Sequence, residues 1–198
     1  MKMNLPNKLS VLRLVMVPIF MVVMLLPVFT DFSSTADMIL TLSGAVLFIA
    51  ASFTDMLDGK IARKYNLVTN FGKFMDPLAD KFMVFSALLM ITVRVDALDG
   101  IMIWVSSLVF LRELGVTSIR LVCATTEAGV VAASFFGKAK TVTQVMAILV
   151  ILVEYALIEG RIINTMWIAS FVLIIAMTVM TVGSGIDYLK TYSKYIKE

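Results

Sequence analysis

Four aspartates, Asp55, Asp58, Asp76 and Asp80, fall within 26 residues of a chain that is 60% hydrophobic. An ionised carboxylate in or beside a bilayer is costly unless it is paired, hydrated or bound to a cation, so such residues point to function. Asp55 and Asp58 are three residues apart and Asp76 and Asp80 four, so on helices each pair shares one face. Two facing pairs make an all-oxygen cage, which suits Mg²⁺ or Mn²⁺ and suits Zn²⁺ or copper poorly. Carboxylates that merely cap helix ends would explain one pair. They would not explain two pairs with Gly59, Ala62, Arg63 and Gly72 at set offsets between them.

The elements that must carry these groups are apolar. Mean hydropathy is +0.97 over 198 residues, beyond the range of soluble domains, which are about half apolar. Uncharged stretches cover residues 14–30, 38–54, 82–93, 100–111, 141–153 and 162–186. The first two and the last are long enough to span a hydrocarbon core, which takes about 20 residues with some slack. The middle three become spans if each continues into a charged end, as over 72–94 and 99–120. The expectation is an all-α integral membrane protein of six transmembrane helices forming one domain over residues 1–198. Residues 1–12, with Met3, Leu5, Leu9 and Leu12 among polar neighbours, read as a short interfacial segment leading into the first span. Residues 14–30 lack a small-residue cleavage site, so no signal peptide is expected. A second helix over 38–56 is expected to deliver Asp55 and Asp58 at its end, and Gly72 to open the third.

Charge sets the orientation. With six spans both termini lie on one side, and 15 of the 17 basic residues then share it, leaving only Arg94 and Arg161 opposite. That asymmetry puts both termini and the aspartates in the cytoplasm, in a multi-pass protein of the cell membrane. The net charge of +3 carries no basic run that would suggest nucleic acid. Cys123 is the only cysteine, which excludes an internal disulfide and reads as a small buried residue. There is no histidine, so proton transfer falls to a carboxylate, lysine, tyrosine or substrate group.

The run Asp55-x-x-Asp58-Gly59-x-x-Ala62-Arg63, eight residues, then Gly72-x-x-x-Asp76-x-x-x-Asp80 resembles the signature of the CDP-alcohol phosphotransferase family at all eight fixed positions and in the spacer. Upstream, Asn4-x-Pro6-Asn7-x-Leu9-Ser10-x-x-Arg13 looks like the opening of the subgroup that makes phosphatidylglycerol phosphate. Arg112-Glu113-Leu114 and residues 137–144 are similar to that subgroup as well. Asn and Ser ahead of an apolar helix would equally serve as a helix cap.

The resemblance implies that Asp55, Asp58, Asp76 and Asp80 hold two divalent cations, Mg²⁺ or Mn²⁺, with Asp80 also the base. It implies that Asp58, Gly59, Ala62 and Arg63 contact the CDP-lipid, together with Thr69, Asn7 and Ser10. Two metals can clamp the attacking and leaving oxygens of a displacement at phosphorus. Gly59 allows close approach to the backbone, and Arg63 has the forked geometry that suits phosphate oxygens. Arg112, Arg120, Lys138 and Lys140 form a candidate basic pocket for an anionic acceptor. Lys138 and Lys140, two apart, converge only at a helix start or in a loop.

The expected partners are thus CDP-diacylglycerol and sn-glycerol 3-phosphate, with membrane lipid around them and no nucleic acid. Phosphatidylglycerol phosphate and CMP would be the products. Inositol phosphate, serine or phosphatidylglycerol are alternative acceptors. A divalent-cation channel or transporter is the rival from another class, but transporters tend to carry internal repeats and midplane polar groups. Members of the family resemble one another in being homodimers. Small residues at Gly44, Ala45, Ala50 and Ala51 would permit close helix contact.

Overall fold

The computed structural model describes residues 4–65, 69–124, 135–159 and 168–196. Among these the chain is helical, without a strand: α1 Leu5–Phe29, α2 Ser34–Lys64, α3 Asn70–Arg94, a 3-10 turn Asp96–Leu98, α4 Asp99–Ala124, α5 Phe135–Glu159 and α6 Ile168–Ile196. The side chains of Ala62, Arg63 and Cys123, though their backbone is helical, lie outside the described part.

The helix starts follow local chemistry. Asn4, Ser33 and Thr69 each turn a side-chain oxygen back to a backbone N–H three residues on, at Asn7, Ala36 and Gly72. Such a cap satisfies a donor that the first helical turn leaves orphaned. Pro6 sits in the first turn of α1, where its missing N–H costs nothing. Two expectations change here. Residues 5–12 are not a separate element but the first turns of α1 itself, because nothing between Leu5 and Leu14 breaks the helix. The second helix runs to Lys64, so Asp55 and Asp58 project from its body and not from its end.

Helices α1, α2, α4 (with the turn before it), α5 and α6 are long and apolar enough to cross a membrane. At 25 residues, α3 has the length, but it carries Lys73, Asp76, Asp80 and Lys81 in its first half and Arg94 at its end. Large apolar side chains face outward along the helices, among them Val15, Ile19 and Val22 on α1, Val46, Ile49 and Phe53 on α2, and Val172, Ile175 and Val179 on α6. Patches of that kind have no place on a soluble monomer, whereas a bilayer covers them. Helices satisfy their own backbone there, which is why they span it. The protein is a multi-pass membrane protein.

The chain divides into two compact units, residues 1–99 with 148–166, and residues 100–147 with 167–198. In the first, α1 packs against α2 and α3 over a core that includes Val17, Phe20, Met24, Phe48, Ala51, Leu88 and Ile91. Phe20 and Phe48 meet at 6.4 Å with tilted rings. Gly44 makes the close approach of α1 and α2 possible, since a Cβ there would lie 2.6 Å from the Met24 sulfur. Gly44, Ala45 and Ala51 are buried within the chain itself, whereas Ala50 is half-buried. In the second unit the core includes Met102, Val105, Val109, Ile174 and Met177. A smaller cluster of Val116, Tyr188 and Tyr192 lies among the same helices, with the two tyrosine rings stacked at 5.5 Å.

Within the first unit a second polar centre ties four helices. Arg94 is buried and donates to the Met24 carbonyl at 2.8 Å, to Asp37, to Thr41 at 3.2 Å and to the Tyr155 hydroxyl at 3.3 Å. Its guanidinium also lies 5.1 Å from the centre of the Tyr155 ring. Arg94 therefore departs from the charge asymmetry for a structural reason. It is an internal cation paired with Asp37, not a loop charge.

Candidate active site

Three side chains on the N-terminal half of α1 build the site. Asn7, Ser10 and Arg13 recur every three residues and are all buried, which lines them along one stripe of the helix. Arg13 is 1% exposed, with Nη1 2.8 Å from Asp55 Oδ1 and Nη2 2.5 Å from Asp58 Oδ2. Ser10 donates to Asp76. Asn7 Oδ1 accepts from the Thr69 hydroxyl at 2.9 Å. One stripe of α1 thus holds two carboxylates on α2, one on α3, and the cap of α3.

The start of α3 is shaped to allow this. Thr69 donates to Asn7 while accepting from the Gly72 N–H at 3.0 Å. A Cβ on Gly72 would lie 3.0 Å from Asn7 Oδ1 and 3.3 Å from Thr69 Oγ1. A side chain there would require Asn7 or Thr69 to give way by a few tenths of an ångström. Asp76 and Asp80 follow on successive turns, both half-buried, with Pro77 inside the helix. Asp58 is 2% exposed, and the Asp55 side chain is 43% exposed.

The carboxylates of Asp55, Asp58 and Asp76 lie near enough to repel one another. Arg13 offsets part of that repulsion and engages one oxygen of Asp55 and one of Asp58. Among the described residues, the second oxygen of each is left for another ligand. Among the described residues, no three acidic groups draw together into a finished coordination shell. The donors are nevertheless hard carboxylate oxygens from two helices, a set that fits Mg²⁺ or Mn²⁺.

The other expected positions divide. Gly59 lies on α2 beside the first aspartate pair and is half-buried. In the second unit Arg112 and Lys140 both donate to Glu113 Oε1, at 2.7 Å for Arg112. Arg112 also reaches the Ser184 hydroxyl. Arg120 donates to the Tyr188 hydroxyl, from Nε at 3.0 Å, and Arg112 and Arg120 lie 5.8 and 5.2 Å from the Tyr188 ring centre. Three of the four basic residues therefore share one neighbourhood. Lys138 does not join them: it is exposed on α5, while Lys140 is buried. Both lie near the start of α5, and their separation of two residues still sends them apart.

Sequence reasoning did not assign site roles to Arg13, Glu113 or Tyr188. Arg13 left a signal, as a charge just ahead of the uncharged stretch 14–30 and three residues beyond Ser10. Glu113 stood within the run Arg112-Glu113-Leu114, without a role of its own. Tyr188 left none, because the arginine it accepts from, Arg120, is 68 residues away.

Comparison with known proteins agrees with this geometry. A profile of the CDP-alcohol phosphatidyltransferase family matches residues 3–187, across both units. A Bacillus subtilis protein named CDP-diacylglycerol–glycerol-3-phosphate 3-phosphatidyltransferase is 42% identical, with 93% of each chain covered. A Mycobacterium tuberculosis protein named probable phosphatidylglycerophosphate synthase is 36% identical over 94% of this chain and 80% of its own. A Rickettsia felis protein with the same name as the Bacillus one is 35% identical over 97% of each. With the aspartate pairs, their supporting helix and a match along nearly the whole chain in agreement, this protein belongs to the CDP-alcohol phosphatidyltransferase family.

Proposed function

We propose that this protein transfers the phosphatidyl group of CDP-diacylglycerol to sn-glycerol 3-phosphate, giving phosphatidylglycerol phosphate and CMP. The observation that carries the reading is the gathering of Asp55, Asp58 and Asp76 around α1 in a chain of this family. The names of its relatives support the choice of both substrates.

The family generally depends on a divalent cation. Here Asp55, Asp58, Asp76 and Asp80 would hold two, Mg²⁺ or Mn²⁺, which when bound neutralise charge on the diphosphate and on the attacking and leaving oxygens. The remaining work falls to the chain. Gly59, Ala62 and Arg63 receive the CDP moiety, Arg63 by paired contacts to phosphate oxygens. Asp80 accepts the proton of the primary hydroxyl of glycerol 3-phosphate. That oxygen forms a bond to the lipid-side phosphorus, the bond from this phosphorus to the bridging oxygen breaks, and CMP leaves with that oxygen. Positioning of the reactants supplies much of the rate.

Arg112, Arg120 and Lys140 provide cationic groups for the acceptor phosphate, with Lys138 contributing long-range attraction from its exposed position. A neutral acceptor such as serine has no need of them. The distribution of basic residues supports six spans with both termini and the active site in the cytoplasm, α3 being the sixth span, in the cell membrane. Membrane embedding then serves the substrate, since the lipid tails enter sideways. A homodimer is the expected assembly.

The test is direct. Purified protein with Mg²⁺ and CDP-diacylglycerol should release CMP with glycerol 3-phosphate and not with serine, inositol phosphate or phosphatidylglycerol. Release with one of those acceptors in its place would transfer the reading to that acceptor.

A further inference from the structure

We propose that Arg13 is a positioning residue for the cation-binding carboxylates, fixing Asp55 and Asp58 so that the second oxygen of each is presented to the ion. This rests on the metal reading above. Its basis is geometric: the guanidinium is 1% exposed and splits its two terminal nitrogens between two carboxylates, at 2.8 and 2.5 Å. Those carboxylates lie on the same face of α2, one turn apart, while Arg13 reaches them from α1, 42 and 45 residues away.

A cation beside a cation site has two opposing effects. Its charge repels the ion, but its fork removes the rotational freedom of two ligands. Groups that hold metal ligands from behind typically strengthen binding, and their loss costs about 10- to 100-fold in metal affinity or activity. The fork is what matters here. Lysine would keep the charge but not the planar pair of donors that bridges two acceptors. Ser10, whose hydroxyl bonds Asp76 three residues before Arg13 on the same stripe, extends the arrangement to the third carboxylate. The N-terminal half of α1 is on this view a template against which the ligands are set.

The experiment measures metal binding without turnover. The full chain is purified in detergent, Mn²⁺ is titrated with no substrate present, and bound ion is read from loss of the free-ion paramagnetic resonance signal. Wild type, Arg13→Lys, Arg13→Met and Asp55→Asn are compared after each is shown to elute as a single species. Wild type should bind Mn²⁺ and Asp55→Asn should bind it more weakly. Arg13→Lys and Arg13→Met should each lose about 10- to 100-fold in affinity. If Arg13→Met does not fold, Arg13→Lys decides, because it keeps a cation in the buried site. Arg13→Lys binding like wild type, or Arg13→Met binding more tightly, overturns the positioning role and leaves the metal reading intact. Wild type and Asp55→Asn binding alike overturns the metal reading, and this proposal with it.

Discussion

Ser10 on the first helix donates its hydroxyl to the carboxylate of Asp76 on the third, a contact that spans 66 residues of sequence. It joins the N-terminal half of that helix to the second aspartate pair, much as Arg13 joins it to the first. Ser10 is fully buried while Asp76 is half-buried, so the donor side of the bond is shielded from competing water. Ser10→Ala should lower kcat by about tenfold with a smaller change in the KM for CDP-diacylglycerol, as expected for loss of a group that orients a metal ligand. Ser10→Thr keeps the hydroxyl and should stay near wild type. Equal turnover in Ser10→Ala and wild type would make the contact incidental.

The aspartates themselves should be indispensable. Asp55→Ala and Asp76→Ala should abolish Mg²⁺-dependent CMP release, and the Asn variants should fail nearly as badly, because shape without charge does not hold the ion. Excess chelator should silence wild type, and added Mg²⁺ or Mn²⁺ should restore it. Substantial turnover in either Ala variant, with normal membrane insertion, would refute the two-cation mechanism.

Asp80 is expected to behave differently from its neighbours. As the base, Asp80→Asn should lose kcat while CDP-diacylglycerol still binds. Direct binding of the CDP-lipid to the variant, measured alongside single-turnover chemistry, separates the two effects. Lost lipid affinity with normal chemistry in the bound complex would assign Asp80 to binding alone.

The two lysines near the start of α5 should part company. Lys140 is buried against Glu113 beside Arg112, whereas Lys138 is exposed. Lys140→Ala should raise the apparent KM for glycerol 3-phosphate about ten- to hundredfold, the scale of one charge-assisted contact of roughly 1.5–3 kcal/mol. Lys138→Ala should change it much less, since exposed charges act weakly through screening water. Equal shifts for both, or equal shifts in the KM of both substrates, would remove Lys140 from acceptor binding.

Arg94 gives a prediction about stability. Arg94→Met would leave Asp37 and Thr41 short of their buried donor, and loss of one partner of a buried ion pair costs about 3–5 kcal/mol. Because the Asp37 side chain is 16% exposed, the lower end of that range applies. The variant should unfold at lower temperature in detergent, and Asp37→Asn together with Arg94→Met should recover part of the loss. Unchanged thermal unfolding of Arg94→Met would show that the cluster contributes nothing.

What the sequence determined by itself was local and periodic. Long apolar runs force helices, since in lipid no other open structure satisfies its own backbone, and spacings of three and four put each aspartate pair on one helical face. Hard oxygen ligands then point to a hard divalent cation, whatever the fold. A cap ahead of the first helix, found at Asn4, follows likewise from a side chain that reaches only three residues. The tertiary structure decided which distant groups meet. That α1 supplies Arg13 to Asp55 and Asp58 across more than 40 residues, that Asn7 comes close against Gly72, and that Glu113 gathers Arg112 and Lys140 but leaves Lys138 outside, all depend on helix packing. So does the pairing of Arg94 with Asp37, which counted in the sequence only as a charge on the wrong side. Periodicity fixes the face of a helix on which a residue lies but carries no information about the helix that will cover that face. That is set by how side chains of particular volume, such as Met24 against Gly44, fit together in three dimensions.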